Sequence, residues 1–273
     1  MLHISLFSGI GGFDLAAEWA GWTNIVSCEI NPFGRRHLEY YWPNAYHHDD
    51  IQTLTIERMN EKVTERFGQQ WRTDDIVLTG GFPCQDASIA KQDGEGQQGL
   101  SGERTGLFYE MVRVIEQVKP KYIVAENVAN ILRTNNGRDF AEIINELVRM
   151  GYNCEWRVCR ASEVGAAHNR ARLYMVGYAK SIRLQAHESF FANVDTEIQQ
   201  GRRVVAGTTA SVWASWPNQP AISFMDDDFP LKLDGTTFSK WINESIKAAG
   251  NAIVPQIAFR IFETINQYNN QTP

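Results

Sequence analysis

Cys84 stands in the stretch TGGFPCQDAS (79–88), behind two glycines, a phenylalanine and a proline. A packing cysteine belongs inside a strand. This one follows an apolar run, DIVLT (75–79), at the point where a sheet hands side chains to a cleft. A free thiol of ordinary pKa is mostly protonated at neutral pH, yet its thiolate is a strong nucleophile. Glu126 and Asn127, in AENV (125–128), end the next apolar run and should emerge beside it. Burial at a strand end would favour the protonated carboxyl of Glu126. A nucleophilic cysteine beside an acid that can protonate a ring nitrogen suits conjugate addition to a pyrimidine. Thiolate attack at C6 would make C5 nucleophilic, and C5 would then accept a methyl group from a sulfonium donor. For Glu126 taken alone, a simple ion-pair role at the sheet end stays open.

A second set of residues fits a nucleoside-bearing cofactor. FSGIGGFD (7–14) is a glycine-rich turn between a strand and a helix. Gly9, Gly11 and Gly12 let a ligand approach the backbone, and the helix start offers free N–H groups. Glu29 follows the next strand, about twenty residues on, where an acid can hydrogen-bond ribose hydroxyls. Asp50 and Ile51, after a third short strand, could hold a purine by its amino group and its face. The turn is not the G-x-G-x-x-G of nicotinamide enzymes, which favours S-adenosylmethionine.

These residues need elements to carry them. HISLF (3–7), NIVSCE (24–29), DIVLT (75–79), KYIVAE (121–126), NCEWRVCRA (153–161) and RLYMVGY (172–178) read as strands. Helical patterns at 13–21, 107–118 and 139–151 lie between several of them. Such alternation predicts an α/β fold with a mostly parallel, doubly wound sheet and helices on both faces. The pattern weakens near residue 179, and 180–240 mixes polar residues with Phe190, Phe191, Trp213, Trp216 and Phe224. That stretch predicts a small irregular second domain. Order returns over 244–265, with a turn at AGN (249–251) and a helix from Pro255.

Composition sets limits. Hydrophobic residues at 43% and charged residues at 21% describe an ordinary globular chain. No apolar run nears the ~18 residues of a membrane span. The opening MLHISLFSGIGG lacks a basic start, so no signal peptide and a cytosolic protein are expected. Cys28, Cys84, Cys154 and Cys159 form no C-x-x-C pair, so no zinc or other metal site is expected. A net charge of −6 argues against a general nucleic-acid coat protein but permits a local basic surface, as Arg157, Arg160, Arg170, Arg172, Lys180 and Arg183 suggest.

Taken together, the chain resembles the DNA (cytosine-5) methyltransferase family of bacterial or phage type. LFSGIGGFDLA is similar to the first cofactor motif; CEINPF and DDI are similar to the ribose and adenine motifs. GGFPCQDAS resembles the Pro-Cys catalytic motif, ENV the Glu-Asn-Val motif, and GAAHNRARLYMVG (165–177) the motif with paired arginines. GNAIVP (250–255) resembles the last motif. The matches run in family order over about two thirds of the chain.

The resemblance implies a Rossmann-like S-adenosylmethionine-dependent fold, with residues 1–178 plus 244–273 as the catalytic domain. Residues 179–243 would form a small target-recognition domain. It implies Cys84 as nucleophile, Glu126 at N3 and the exocyclic amine, Arg172 at O2 and Arg170 as its support. Phe7, Gly9, Ile10, Gly11, Gly12, Glu29 and Ile30 would line the cofactor pocket, with Asp50, Ile51, Pro83, Leu107, Asn251 and Ala252 completing it. Pro83 would also shape the turn. The substrate would be a cytosine swung out of duplex DNA, with the loop at 93–106 closing over it. Such an enzyme would act as a monomer, and a restriction endonuclease sharing its site would act separately. His168 stands where the family usually has Gln, and Ser5 where it often has Asp. Two rivals remain: a tRNA cytosine-5 methyltransferase of the same fold, and a catalytically silent DNA-binding relative. A thymidylate-synthase-like enzyme also attacks C6 with cysteine, but the glycine turn and Glu29 do not suit a folate enzyme.

Overall fold

The computed structural model describes residues 1–72, 75–83, 106–166, 169–180, 182, 189–195, 232–233 and 236–271. One sheet holds seven strands: β1 (Leu2–Leu6), β2 (Thr23–Cys28), β3 (Tyr46–His48), β4 (Ile76–Gly80), β5 (Tyr122–Val128), β6 (Tyr152–Arg160) and β7 (Ala171–Ala179). Their order is β3-β2-β1-β4-β5-β7-β6. The first five pair in parallel, and β7 runs antiparallel to both β5 and β6. The chain winds outward from β1 to β3, then returns to place β4 and β5 on the other side. That reversal opens a crevice at the carboxyl ends of β1 and β4, where ligands of such sheets bind.

The strands are buried on both sides because helices cover both faces. On one face, α3 (Ile56–Phe67), α4 (Gly106–Val118) and α5 (Arg138–Arg149) pack Met59, Val63, Phe108, Met111, Ile115 and Ile143 against Ile4, Leu6, Leu78 and Ile123. On the other, α1 (Gly12–Trp19) and the last helix, Pro255–Gln271, pack Phe13, Ala16, Ala17, Ile261 and Phe262 against Val77, Tyr122 and Val124. Side chains of this size each contribute about 1.5–3 kcal/mol when fully buried. The last helix therefore belongs to the core although it is far from α1 in sequence. Trp22 and Phe262 stack with centroids 4.4 Å apart.

Two elements between β2 and β4 have clear local causes. In α2 (Pro32–Tyr41), proline sits at the start and Asn31 accepts from the Phe33 N–H at 2.8 Å. In α3, Thr55 caps the first turn, and Gly68 at φ 79 follows the last.

A buried polar group braces the crevice from below. The ring nitrogens of His3 meet Asn24 Oδ1 at 2.6 Å and Thr79 Oγ1 at 2.8 Å. Asn24 Nδ2 donates to the Asp14 carbonyl at 2.9 Å. One side chain of β1 thereby ties β2 and β4, and Asn24 extends the link to α1. Burial lowers the His3 pKa to about 4, so this brace works with a neutral ring.

Two regions near the chain's end differ from expectation. The helix Phe238–Asn251 runs through the AGN segment without a turn, and the break falls at Ala252–Val254 instead. The glycine of that segment sits in a helix, where it costs stability but does not force a stop. Residues 190–195 are helical, and Phe190, Phe191 and Val194 are buried in the core against Tyr268 of the last helix. Glu155 of β6 accepts from Ser189 Oγ at 2.6 Å and the Phe190 N–H at 2.9 Å. Arg157 pairs with Asp195 at 2.8 Å. The start of the stretch expected as a second domain is thus fastened to the sheet. An antiparallel ribbon pairs Lys232–Leu233 with Thr236–Thr237. Trp213, Trp216 and Phe224 lie outside the described residues. Among those described, no helix is long and apolar enough to cross a membrane.

Candidate active site

The cofactor side begins where β1 ends. Phe7 takes φ 53, a left-handed backbone that a non-glycine residue adopts at a cost. Gly9 at φ 58 and Gly11 at φ 86 continue the tight turn into α1. Gly11 precedes α1 and supplies no side-chain cap to its first turn. A Cβ on Gly11 would stand 2.4 Å from the Trp42 ring. One on Gly12 would stand 2.8 Å from Ile253 Cβ. These two positions must be glycine because neighbours already fill the side-chain space. Ile10, on the same turn, is half-buried.

Glu29 reaches back across this turn. Its Oε2 accepts from the Gly9 N–H and its Oε1 from the Asn31 N–H, both at 2.7 Å. Each oxygen keeps a second lone pair for a hydroxyl donor. Arg35 of α2 donates to the Glu29 and Ile30 carbonyls at 3.1 and 2.9 Å, which fixes that short segment. Beside it the Ile30 side chain is 71% exposed, an apolar surface with nothing packed on it. Asp50 Oδ1 accepts from the Gln52 N–H at 3.0 Å, and Ile51 is buried behind it. Arg113 of α4 donates to the Ile51 and Leu54 carbonyls at 2.7 and 2.8 Å.

On the base side, Glu126 lies near the end of β5 and is 8% exposed. Across the antiparallel pairing it faces Tyr174 of β7, and Arg172 faces Val128. Arg172 Nε approaches Glu126 Oε1 at 3.0 Å, but not at an angle that makes a hydrogen bond, so Oε1 is buried without one. Burial pushes the Glu126 pKa up to about 7 against the pull of Arg172 and Arg170. Near neutral pH the carboxyl can therefore carry a proton and hand it over. Arg170 donates through Nη1 to the Gly250 carbonyl, while its buried Nε has no partner.

Gly81, Phe82 and Pro83 lead from β4 toward the nucleophile position. Asn127 Nδ2 donates to the Phe82 carbonyl at 3.2 Å, and its Oδ1 accepts from the Val128 N–H at 2.7 Å. Asn127 thus pins the turn to β5 just before Pro83. Cys84 itself lies outside the described residues, as do residues 93–105 of the expected closing loop and His168. Leu107 is half-buried on the first turn of α4, Asn251 ends its helix exposed, and Ala252 follows it.

The geometry therefore sets Glu126 of β5 and Arg172 of β7 together, with Arg170 just ahead of β7. It places the glycine turn and Glu29 at the ends of β1 and β2. Three positions were not singled out as site residues by spacing: Gly34, Arg113 and Asn127. A Cβ on Gly34 would stand 2.4 Å from the Gly9 carbonyl oxygen. A glycine inside a helical stretch is the available signal for such a close approach.

Comparison with known proteins settles the lineage. The model of the C-5 cytosine-specific DNA methylase family matches residues 1–218. The chain belongs to that family. Among similar proteins is the type II methyltransferase M.Sau3AI of Staphylococcus aureus, 32% identical over 66% of this chain and 43% of its own length. Another is M1.HphI of Haemophilus parahaemolyticus, 33% identical over 65% of this chain and 45% of its own. The aligned part thus spans less than half the length of these relatives. A candidate DNA modification methyltransferase encoded in an E. coli prophage superposes with a TM-score of 0.63 at 19% identity, over 99% of this chain and 100% of its own. Together with the sheet order, this gives the Rossmann-like methyltransferase fold.

Methylases of this family take their methyl group from S-adenosylmethionine. The crevice suits that ligand on four counts. It has uncapped first-turn N–H groups and a glycine, Gly9, with open space around its α-carbon. It also has a carboxylate with spare lone pairs and an exposed apolar side chain, Ile30, beside it.

Proposed function

We propose that this protein is a DNA (cytosine-5-)-methyltransferase that acts on a cytosine extruded from duplex DNA. Cys84 serves as nucleophile: its sulfur bonds to C6 as Glu126 gives a proton to N3. The electron pair of the C5=C6 bond is then free to take a methyl group at C5. Gly9, Gly11, Gly12, Glu29 and Ile30 would hold S-adenosylmethionine, whose sulfonium would supply the electrophilic methyl and become a neutral thioether. Loss of the C5 proton to solvent and expulsion of the Cys84 thiolate restore the double bond, and the N3 proton returns to Glu126. Arg172 holds the base at O2 and keeps Glu126 in place, and Arg170 supports Arg172 while tied to Gly250. Asp50, Ile51, Leu107, Asn251 and Ala252 complete the donor pocket, with Pro83 at its border.

The observation that carries this reading is Glu126. It is buried, holds its proton to about pH 7, and sits on the strand that Asn127 pins to the turn before Cys84. An ion-pair residue of purely structural use would be better served by a low pKa and an aligned partner. We read the enzyme as a monomer. We read residues 179–243 as the source of sequence choice. We place the enzyme in the cytoplasm, separate from any restriction endonuclease that reads the same site.

Bisulfite sequencing of DNA from cells expressing the protein tests this directly. Protected cytosines at one short repeated sequence are the expected result. In a parallel assay with labelled donor, duplex DNA should take up label. Label on tRNA alone would replace the DNA reading with the tRNA one. Donor binding without transfer to either would leave a silent relative.

A further inference from the structure

The segment between the last two helices, Ala252–Val254, runs between two glycine-bearing turns. A Cβ on Gly12 would stand 2.8 Å from Ile253 Cβ and 2.9 Å from its carbonyl oxygen. A Cβ on Gly81 would stand 3.3 Å from Ile253 Cδ1 and 3.5 Å from Glu126 Oε2. One side chain thus occupies the space that two residues leave by lacking one. Gly12 opens α1 on the cofactor side, and Gly81 begins the turn toward Cys84. The two ends of Ile253 touch different turns: Cβ the first, Cδ1 the second. Just before it, the end of the preceding helix is held to the catalytic side of the sheet, because Arg170, immediately ahead of β7, donates to the Gly250 carbonyl.

We propose that Ile253 is a positioning residue for methyl transfer, setting the separation between the turn that carries the methyl donor and the turn that carries the nucleophile. The inference rests on the methyltransferase reading above. Transfer needs the donor methyl in line with C5 while C6 is bonded to Cys84. These groups are held by separate turns, so the distance between the turns becomes a distance between reacting atoms. Both contacts are made to glycine backbone, which has no side chain to adjust. A gap of one methyl group in such a chain of contacts is transmitted to the reaction rather than absorbed.

The test uses the full-length protein, S-adenosylmethionine and unmethylated plasmid DNA. Ile253→Val removes Cδ1 and keeps the branched Cβ that meets Gly12. It should bind the donor as wild type does, yet lower the single-turnover methylation rate by about ten-fold, a part of what a full ångström of misplacement costs. Gly81→Ala in the wild-type background should also slow transfer, since the new methyl crowds Cδ1. In the Ile253→Val background the same methyl fills the vacated space, so the double variant should regain most of the rate. An Ile253→Val protein with wild-type rate would overturn the proposal, as would a loss explained wholly by weaker donor binding. If wild type itself methylates no DNA, the reading falls and the inference falls with it. If wild type methylates and the size swap gives no recovery, the inference alone is wrong.

Discussion

The two halves of the site are built in opposite ways. On the cofactor side the backbone is packed: Gly11 and Gly12 lie against neighbours, and both Glu29 oxygens accept from backbone N–H groups. On the base side, charge is buried and left incomplete. Glu126 Oε1 and Arg170 Nε have no hydrogen bond, although each is shielded from solvent. Unsatisfied buried groups cost stability, and they tend to persist where a ligand completes them. On the proposed reading, a packed backbone cradle holds the donor and the incompletely bonded side chains await a base. One half fixes a position, and the other stores reactivity.

If that contrast is right, variants should separate transfer from donor binding. Among the described residues, Glu126→Gln has the largest expected effect. The methylation rate should fall by roughly 10²–10⁴, the range for a lost general acid, while donor affinity stays at the wild-type value. Single-turnover kinetics beside a donor titration would show it. A parallel loss of both would mean that the halves are one unit.

Stability against pH sharpens the same point. The Glu126 pKa rises from 4.5 to about 7 on folding. Between those values the folded protein keeps a proton that the unfolded chain has released. The stability linked to it is complete below 4.5 and is lost as pH rises through about 7, in total about 3 kcal/mol. Asp14, pushed up to about 7 by burial, acts in the same direction. His3, lowered to about 4, acts in the opposite one, so wild type alone gives a mixed curve. The difference between wild type and Glu126→Gln isolates the one carboxyl. Urea unfolding at about pH 5 and about pH 8 should show the variant gaining on wild type at the higher value. A constant difference would mean that Glu126 is ionised in the folded protein.

The cofactor side should answer to a smaller change in packing. Gly34→Ala places a methyl against the Gly9 carbonyl and must push α2 away from the glycine turn. Overpacking of this kind costs about 1–3 kcal/mol. Weaker donor binding is expected, with the rate at saturating donor little changed. A variant that binds the donor normally and transfers slowly would erase the contrast.

Much of this was legible in the sequence because strand ends are where chemistry collects in such sheets. The runs before Gly9 and Glu29 are β1 and β2, and Glu126 lies near the end of β5. What spacing did not reveal is long-range packing. Nothing local marks Gly34 as the neighbour of Gly9, or Ile253 as the neighbour of Gly12 and Gly81. Asn127 was visible as part of ENV, but its hold on the Phe82 carbonyl depends on the pairing of β4 with β5. The AGN segment misled for a different reason: glycine and asparagine favour turns, yet a helix tolerates them at a cost and here runs through them. Phe190, Phe191 and Val194 were likewise hidden, since an irregular polar stretch gives no period from which to read a core.

The most direct measurement joins the two halves at the nucleophile. Cys84→Ala should be purified and given labelled S-adenosylmethionine and unmethylated duplex DNA, with donor affinity measured on the same sample. In the proposed mechanism the thiol serves only the base, so donor binding should match wild type while no label reaches the DNA. Label transferred to DNA at a rate near wild type would contradict the central claim.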